Sequence, residues 1–353
     1  MSLCHFQQHL IDVIGWHFSP NTGSPFWLEM RRQLDFDPIK DIRSFTDLSL
    51  FPDISLSLRE VTVEDLQPRG LDNKDIAGIF ESGGTTGKAK RVVVYEEWLS
   101  QLINWRLEGF DKLPESGKIK NTLAIIPGGP HLVAAINLRR ARALGGHCFM
   151  VDFDPRWVKK LAQTDGTDKI KPYVDHLLDQ AEPIITTQSL AYLVTTPPLL
   201  EAIARRRLLV KYLNQTLEMI IWGGTKMDAD TLDYLRTAVF PGVTITASYG
   251  NTMILSETRA RMNQNYNGSP IFDSYVPYVL LEVVDPKNNL PVAYNERGRV
   301  VMNHISKFAL FPNILERDTA VRLPALNDYL GVAVSEVRTV TEVSNRVVIE
   351  GVY

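Results

Sequence analysis

Apolar stretches of strand length alternate with longer helical patterns through the first two thirds of the chain. The stretches that predict strands are 76–80, 122–126, 147–153, 183–187, 217–222 and 243–248. Those that predict helices are 96–110, 132–144 and 228–240, and helical sequence after residue 187 is interrupted by Pro197-Pro198. This alternation is typical of an α/β fold in which helices cover both faces of a largely parallel sheet.

After about residue 270 the pattern changes to strand-rich sequence. Apolar runs at 278–285, 298–305 and 319–323 follow one another with no helical pattern between them. The chain has 353 residues, which exceeds the usual size of a single domain, so two or more subdomains are expected. We therefore expect a strand-rich subdomain near the C-terminus, next to the α/β part.

Composition and charge exclude several classes of protein. The net charge of −3 argues against a general nucleic-acid binder. The apolar runs are too short to span a bilayer, and no basic region followed by an apolar core opens the chain, so we expect a cytoplasmic protein. Cys4 and Cys148 are then reduced thiols. His147 and Cys148 point to opposite faces of a predicted strand and make a poor metal pair.

The stretch from Ser82 to Lys90 carries the clearest functional signal. Its three glycines let the backbone approach an anion, and its three hydroxyl groups and two lysines supply donors and positive charge. The predicted phosphate-binding residues are Ser82, Gly83, Gly84, Thr85, Thr86, Gly87 and Lys88, with Lys90 closing the loop. The loop follows the predicted buried strand 76–80, and ligands of α/β folds bind at strand ends. The alternative is a mobile surface loop.

Two common phosphate-loop patterns fail in this segment. Both the Walker and the dinucleotide pattern require a glycine where Ser82 stands, and Ala89 replaces the Ser or Thr that follows the Walker lysine. The pattern SGGTTGxxK instead resembles the phosphate loop of the adenylate-forming superfamily, which includes acyl-CoA synthetases, peptide-synthetase adenylation domains and luciferases. Lys90 falls on that loop's closing lysine, while Ala89 and Arg91 replace its usual proline and glycine. The resemblance implies that family's large N-terminal domain, with stacked, mostly parallel sheets flanked by helices.

Further landmarks of this family follow in the family's order. By resemblance, His131 and Trp222 border the acyl pocket, Gly223, Gly224 and Thr225 form the adenine-contacting turn, Tyr249 and Gly250 bind the nucleoside, Thr252 contacts the α-phosphate, and Asp318 binds the ribose. A carboxylate can accept hydrogen bonds from the two ribose hydroxyls, which suits this role. Simpler interpretations stay open for two of these residues: His131 as a packing histidine at a helix start, and Trp222 as a buried strand tryptophan.

The chain departs from the family at the magnesium ligand. After YGNT the family has a glutamate, and this chain has Met253, whose thioether is a poor ligand for a hard cation. Glu257 lies four residues later and would share a face with Met253 if the segment is helical. Glu257 is therefore a candidate substitute ligand, and an ordinary solvated glutamate is the alternative.

A second departure lies beyond Asp318, where 35 residues remain. They contain no lysine and no GRxDxxIK hinge, and they are too few for an independent domain. We therefore expect an AMP-binding domain over 1–323 and a short remnant over 324–353, without the family's mobile C-terminal domain.

The resemblance implies ATP-dependent activation of a carboxylic acid as an acyl-adenylate, with Mg²⁺ arriving with ATP and with Lys90 and Thr252 as catalytic residues. Activity is expected to be reduced or to depend on a partner protein, namely a reductase, a carrier or an acyl acceptor. Trp222 favours an aryl acid. The tail and the YGNTM segment are similar to atypical adenylating proteins of phenazine antibiotic routes, which implies a phenazine carboxylic acid. An acyl-protein ligase and a nucleotide-binding pseudoenzyme are the alternatives.

Overall fold

The computed structural model describes residues 3–82, 88–108, 120–164, 169–326 and 331–339, together with 342–343 and 346–347. The chain divides into two compact units. Unit 1 comprises Met1–Leu102, Gly250–Thr258 and Ile271–Thr339, and unit 2 comprises Ile103–Tyr249, Arg259–Pro270 and Val340–Tyr353.

Strands and helices are interspersed between residues 76 and 247, and the described chain after residue 247 is rich in strands. The helices are α1 (Leu3–His17), α2 (Pro25–Met30), α3 (Pro38–Asp41), α4 (Val63–Leu66), α5 (Glu96–Leu107), α6 (Leu132–Ala143), α7 (Pro155–Thr164), α8 (Ile170–Thr187), α9 (Pro197–Arg205), α10 (Arg207–Thr216) and α11 (Ala229–Tyr234). The strands are β1 (Ile76–Glu81), β2 (Arg91–Tyr95), β3 (Asn121–Ile126), β4 (Cys148–Asp152), β5 (Leu190–Thr195), β6 (Met219–Trp222), β7 (Thr244–Ala247), β8 (Gly250–Asn251), β9 (Ser256–Glu257), β10 (Arg259–Tyr266), β11 (Ser269–Asp273), β12 (Val279–Val284), β13 (Arg297–Ile305), β14 (Leu310–Pro324), β15 (Val332–Thr339), β16 (Glu342–Val343) and β17 (Arg346–Val347). None of the helices described is long and apolar enough to cross a membrane.

Unit 2 contains a parallel sheet of five strands in the order β4-β3-β5-β6-β7. Val133 of α6 packs on one face of this sheet, against the buried side chains of Ala124, Ile126, Val194 and Ile221. The crossover from β3 to β4 runs opposite to the crossover from β5 to β6. Since both are expected to be right-handed, α6 and the pair α9–α10 cover opposite faces. The predicted parallel sheet with helices on both faces is therefore confirmed.

The strand predicted at 183–187 is wrong, because these residues end helix α8. The β-branched run Ile184–Thr187 favours a strand locally. However, Leu177, Leu178, Ala181 and Ile185 form one buried stripe along the helix, and tertiary packing overrides the local preference. The strand lies later, at Leu190–Thr195. Pro197 and Pro198 begin α9 rather than interrupt a helix, since proline fits the first turn.

Unit 1 contains an antiparallel sheet in which five strands lie in the order β11-β15-β14-β13-β12. The strand-rich region predicted after residue 270 is thus confirmed. Strand β14 is much longer than the predicted run 319–323, and β15 was not anticipated from the patterning. Strand β15 pairs with both β11 and β14, so residues 332–339 are interior to the sheet.

Strands β1 and β2 form a two-stranded antiparallel ribbon in unit 1. The expectation that the loop follows a buried strand is therefore wrong. Of the six residues of β1 only Phe80 is buried, whereas Val92, Val93, Val94 and Tyr95 of β2 are all buried. The loop thus connects the strands of a hairpin whose second strand, rather than its first, is anchored in the core.

Candidate functional site

The glycine-rich loop is closed at its base by two hydrogen bonds. The amide of Ser82 donates to the carbonyl of Lys90 at 2.9 Å, and the amide of Lys90 donates to the hydroxyl of Ser82 at 2.9 Å. The predicted phosphate-binding residues Gly83, Gly84, Thr85, Thr86 and Gly87 lie outside the described residues. Within the described part, Ser82 serves to join the two ends of the loop.

Lys88 lies at the surface beside this base. Its ammonium group contacts both carboxylate oxygens of Glu60 at 2.9 Å, and both side chains are about 70% exposed. Exposed ion pairs stabilise a protein by only about 0–1 kcal/mol. Separating Lys88 from Glu60 would therefore cost little.

Lys90 lies in a more buried environment with charges of both signs around it. Burial lowers the pKa of its ammonium group, the carboxylates of Glu316 and Asp53 act to raise it, and the guanidinium groups of Arg59 and Arg317 lower it further. A cation surrounded by two acidic and two basic side chains forms a polar centre in unit 1. The three cations of this centre exceed its two carboxylates by one charge.

Glu316 belongs to this centre and, like Asp53, Arg59 and Arg317, was not predicted as a site residue from the sequence. Burial and the neighbouring charge of Asp318 raise the pKa of the Glu316 carboxyl, against the opposing effects of Lys90, of a hydrogen bond with Asn251 and of Arg317. Glu316 precedes Asp318 by two positions on β14, in a stretch where the pairing with β13 shifts register. Regular strand alternation therefore does not single out Glu316 in the sequence.

Thr252 lies in a tight turn that is held by its own neighbours. The Asn251 side chain accepts hydrogen bonds from the amides of Met253 at 2.8 Å and Ile254 at 3.2 Å, which caps the turn Thr252–Ile254. The hydroxyl of Thr252 donates to the carbonyl of Glu81 at 3.2 Å. Thr252 therefore lies against the last residue of β1, next to the glycine-rich loop.

The turn is followed directly by strand β9, which pairs with β8. A side chain at Gly250 would collide with the backbone of Ser256 and Glu257, so this close pairing requires glycine. Because the segment is not a helix, Met253 and Glu257 do not share a helical face, and that part of the expectation is wrong. Met253 and Glu257 are 2% and 9% exposed, so Glu257 is not a solvated surface glutamate.

The carboxylate of Asp318 has a partner on the neighbouring strand. The Thr339 hydroxyl of β15 donates to Asp318 Oδ1 at 2.9 Å, and the two residues are opposite one another in the ladder. Unit 1 thus brings together the ends of the predicted phosphate loop, Lys90, Thr252 and Asp318, although these residues are far apart in sequence.

The remaining predicted residues belong to unit 2, where they follow the carboxyl ends of parallel strands. His131 begins α6 and is 9% exposed. The amide of Gly223 donates to the Thr195 carbonyl at 3.2 Å, and the amide of Ser248, which precedes Tyr249, donates to the Trp222 carbonyl at 2.8 Å. The strand order reverses between β3 and β5, and ligands of open parallel sheets bind at such a reversal.

Unit 2 has buried polar atoms without hydrogen-bond partners at this edge. Within the described part of the chain, Trp222 Nε1, Thr195 Oγ1 and Thr225 Oγ1 have none. Thr195 and Trp222 are 1% and 5% exposed, and they are register partners on adjacent strands, so their side chains lie on the same face. A buried donor without a partner costs about 1–3 kcal/mol. A bound water or a ligand acceptor would remove that cost.

Comparison with solved structures shows which fold this is. The chain superposes on 2-hydroxyisobutyryl-CoA ligase, in complex with 2-HIB-AMP and CoA in the thioesterification state, with a TM-score of 0.64 and 14% identity over 91% of this chain and 63% of that chain. An open conformation of that ligase, also in complex with 2-HIB-AMP and CoA, gives a TM-score of 0.62 and 14% identity over 91% and 65%. The postadenylation state of the same ligase, in complex with R3-HIB-AMP, gives a TM-score of 0.60 and 13% identity over 91% of this chain and 63% of that chain.

The chain thus spans slightly less than two thirds of the length of these ligases. No family model and no curated protein matches the sequence. At this level of identity the superposition shows a shared fold. The fold is that of 2-hydroxyisobutyryl-CoA ligase over most of the chain, with a parallel sheet flanked by helices and an antiparallel sheet after it.

Proposed function

We propose that this protein binds ATP and joins a carboxylic acid to its α-phosphate, releasing pyrophosphate. The observation that carries the proposal is the grouping of Lys90, Thr252 and Asp318 around the base of the glycine-rich loop in unit 1. These residues match, in type and order, a lysine, a threonine and an aspartate that the adenylate-forming family uses for phosphate and ribose. The shared fold with a ligase whose structure contains an acyl-AMP supports the same function.

The reaction brings two anions together, and the protein must compensate their charge. A carboxylate oxygen attacks the α-phosphorus, and the bond from that phosphorus to the departing pyrophosphate breaks. Lys90 supplies positive charge to the phosphates, and its partly buried position makes that charge more effective than it would be in water. The Thr252 hydroxyl turns from the Glu81 carbonyl to a phosphate oxygen, and Lys88 exchanges Glu60 for phosphate.

The donors described here do not form a protein-built magnesium site. No group of three His, Cys, Asp or Glu side chains among the described residues is arranged to hold a metal ion. The residue at the family's glutamate position, Met253, is a buried thioether. Mg²⁺ is therefore expected to arrive with ATP, held by the phosphates.

For the acid, an aryl carboxylic acid bound beside Trp222 and His131 at the edge of the unit 2 sheet is the preferred substrate. An indole ring offers a flat apolar surface to an aromatic acid. The unpartnered Trp222 N–H also favours an acid whose ring carries a hydrogen-bond acceptor. A phenazine carboxylic acid, as used in antibiotic biosynthesis, has such ring nitrogens. The activated acyl group would pass to a partner protein, namely a reductase, a carrier or an acyl acceptor.

A second candidate function is a nucleotide-binding protein without catalysis. The buried Met253 favours it, since the described structure offers no carboxylate at that position. Pyrophosphate exchange with a panel of aryl acids tests both functions, with ATP binding followed by calorimetry. Acid-dependent exchange supports the ligase. ATP binding without exchange, alone and with candidate partners, supports the second function, and no ATP binding would overturn both.

A further inference from the structure

Two buried N–H groups hold the turn that carries Thr252. The indole Nε1 of Trp98 donates to the carbonyl of Leu255 at 2.7 Å. Nδ1 of His304 lies 2.7 Å from the carbonyl of Ile254. Trp98 and His304 are both fully buried, and their rings pack edge to face with centroids 4.6 Å apart. The carbonyls of consecutive residues just after Thr252 are thus bonded by two side chains that also pack on each other.

The hydrogen bonds around His304 determine the position of its proton. A carbonyl oxygen only accepts, so Nδ1 carries the proton and donates to Ile254. Nε2 is then the acceptor for the Ser306 hydroxyl at 2.7 Å, and the Ser306 oxygen accepts from the amides of Phe308 at 3.1 Å and Ala309 at 3.3 Å. Each polar atom of this chain of bonds has a partner, so the imidazole is fixed in one orientation.

The backbone between these two bonds needs support. Leu255 has φ +51°, a left-handed conformation that is unfavourable for a residue with a side chain. A residue in that conformation persists where its surroundings determine it. The bonds from Trp98 and His304 act on both sides of Leu255 and so keep the turn Thr252–Ile254 in its observed conformation.

We propose that Trp98 and His304 are positioning residues that clamp the Ile254 and Leu255 carbonyls and thereby hold Thr252 in place for a nucleotide. This inference rests on the proposed function, because a contact between Thr252 and phosphate is part of that proposal. It goes beyond that function by assigning the placement of Thr252 to two side chains that touch neither nucleotide nor acid.

The chain offers a matched control for the indole bond. Trp27 is also buried, at 2% exposure, and its Nε1 donates to the carbonyl of Leu310 at 2.9 Å. Trp98→Phe and Trp27→Phe therefore each remove one buried indole-to-carbonyl bond and keep an aromatic ring. A general loss of stability affects both variants, whereas loss of the clamp affects only Trp98→Phe.

Two measurements compare the variants: hydrogen exchange of the segment 250–257, and ATP affinity by calorimetry. Trp98→Phe is expected to speed exchange at the amides of Met253 and Ile254 about tenfold, and to weaken ATP binding about tenfold, the loss typical of one buried hydrogen bond. Trp27→Phe is expected to change neither. In a Thr252→Val background, which already lacks the hydroxyl, Trp98→Phe is expected to cause no further loss of affinity.

Three results would overturn the proposal: unchanged exchange in Trp98→Phe, faster exchange with unchanged ATP affinity, or an equal loss of affinity in Trp27→Phe. If the parent protein does not bind ATP, the proposed function fails separately. Hydrogen exchange alone then tests whether Trp98 and His304 hold the turn. Their proposed role in nucleotide binding is rejected together with the function.

Discussion

The two candidate regions differ in how their polar groups are satisfied. In unit 1, three described side chains expected to contact ATP have a partner within the protein: Thr252 with Glu81, Lys88 with Glu60, and Asp318 with Thr339. In unit 2, the Thr195 hydroxyl and the Trp222 N–H at the sheet edge have none among the described residues. ATP would therefore exchange existing bonds, whereas an acid would supply bonds that the protein lacks.

This difference has an energetic consequence. Exchanging one hydrogen bond for another contributes little net free energy, so nucleotide affinity depends mainly on charge and on the position of the side chains. Satisfying a buried donor without a partner contributes more, so selectivity for the acid is expected to depend on whether the acid offers an acceptor.

The largest effect is expected at Lys90. Lys90→Ala removes the partly buried cation next to the loop, and loss of one contact to transition-state charge commonly costs about 10²–10³-fold in rate. Pyrophosphate exchange measures this loss. Lys74→Ala, which removes an exposed lysine paired with Asp72, is the control and should leave exchange unchanged. Equal exchange in Lys90→Ala and the parent would remove Lys90 from the site.

Acid is expected to destabilise unit 1 through its buried histidines. Burial lowers the pKa of His17 to about 4 and that of His304 to about 3. The unfolded chain binds these protons near pH 6.5, whereas the folded protein does not. As far as these two histidines are concerned, the free energy of unfolding is therefore at its maximum above pH 6.5. It falls by about 3 kcal/mol for each histidine as the pH decreases toward 4.

The free energy of unfolding in urea, measured between pH 7 and 4.5, tests this dependence. His17→Gln keeps a donor for the Ser306 carbonyl, to which His17 Nε2 bonds at 2.7 Å, and should reduce the pH slope by about one proton. A slope identical to that of the parent would show that His17 is not one of the titrating groups.

At the nucleoside end, Asp318→Ala should weaken binding of ATP and of AMP alike, because both carry the ribose. Loss of a charged acceptor costs about 1.5–3 kcal/mol. Thr339→Val removes only the hydroxyl that donates to Asp318 and keeps the carboxylate, so its affinity should fall far less. If AMP binds Asp318→Ala as tightly as it binds the parent, Asp318 does not contact ribose.

The smallest effect on stability is expected at Trp222. Trp222→Phe and Trp27→Phe both lose ring packing in the core, but Trp222 has no partner for its N–H in the described structure, whereas Trp27→Phe also breaks an existing bond. The free energy of unfolding should therefore fall less in Trp222→Phe than in Trp27→Phe, by about 1 kcal/mol. Aryl acids with a ring acceptor should bind Trp222→Phe more weakly than the parent, while those without one should bind equally. Calorimetry with matched acids measures the difference.

The parts of the fold that could be predicted from the sequence are those with a clear pattern of apolar residues. Strands β3, β6 and β12 coincide with apolar runs, because each is buried along most of its length. The strand predicted at 183–187 failed because the β-branched run there lies within an amphipathic helix. The pairing of β1 with β2 could not be predicted either, since a short strand does not specify its partner.

For the candidate site, the sequence supplied residue types and order but not the contacts between them. Glu316 and Asn251 joined the site only through tertiary contacts with Lys90 and with each other. The roles of Trp98 and His304 could not be predicted from the sequence. The pattern around a buried helix or strand residue is the same whether or not its side chain bonds to a distant carbonyl. Roles of this kind depend on three-dimensional position, which local sequence does not encode.

The interior position of β15 has a consequence for the order in which the molecule forms. Ser335 of this strand is paired with Ile271 of β11 on one side and with Val321 of β14 on the other, and it is fully buried. During synthesis, β11 and β14 leave the ribosome before β15, so each presents an open edge to the cell until residues 332–339 emerge. The nascent chain is therefore most prone to pair with other chains just before that strand emerges.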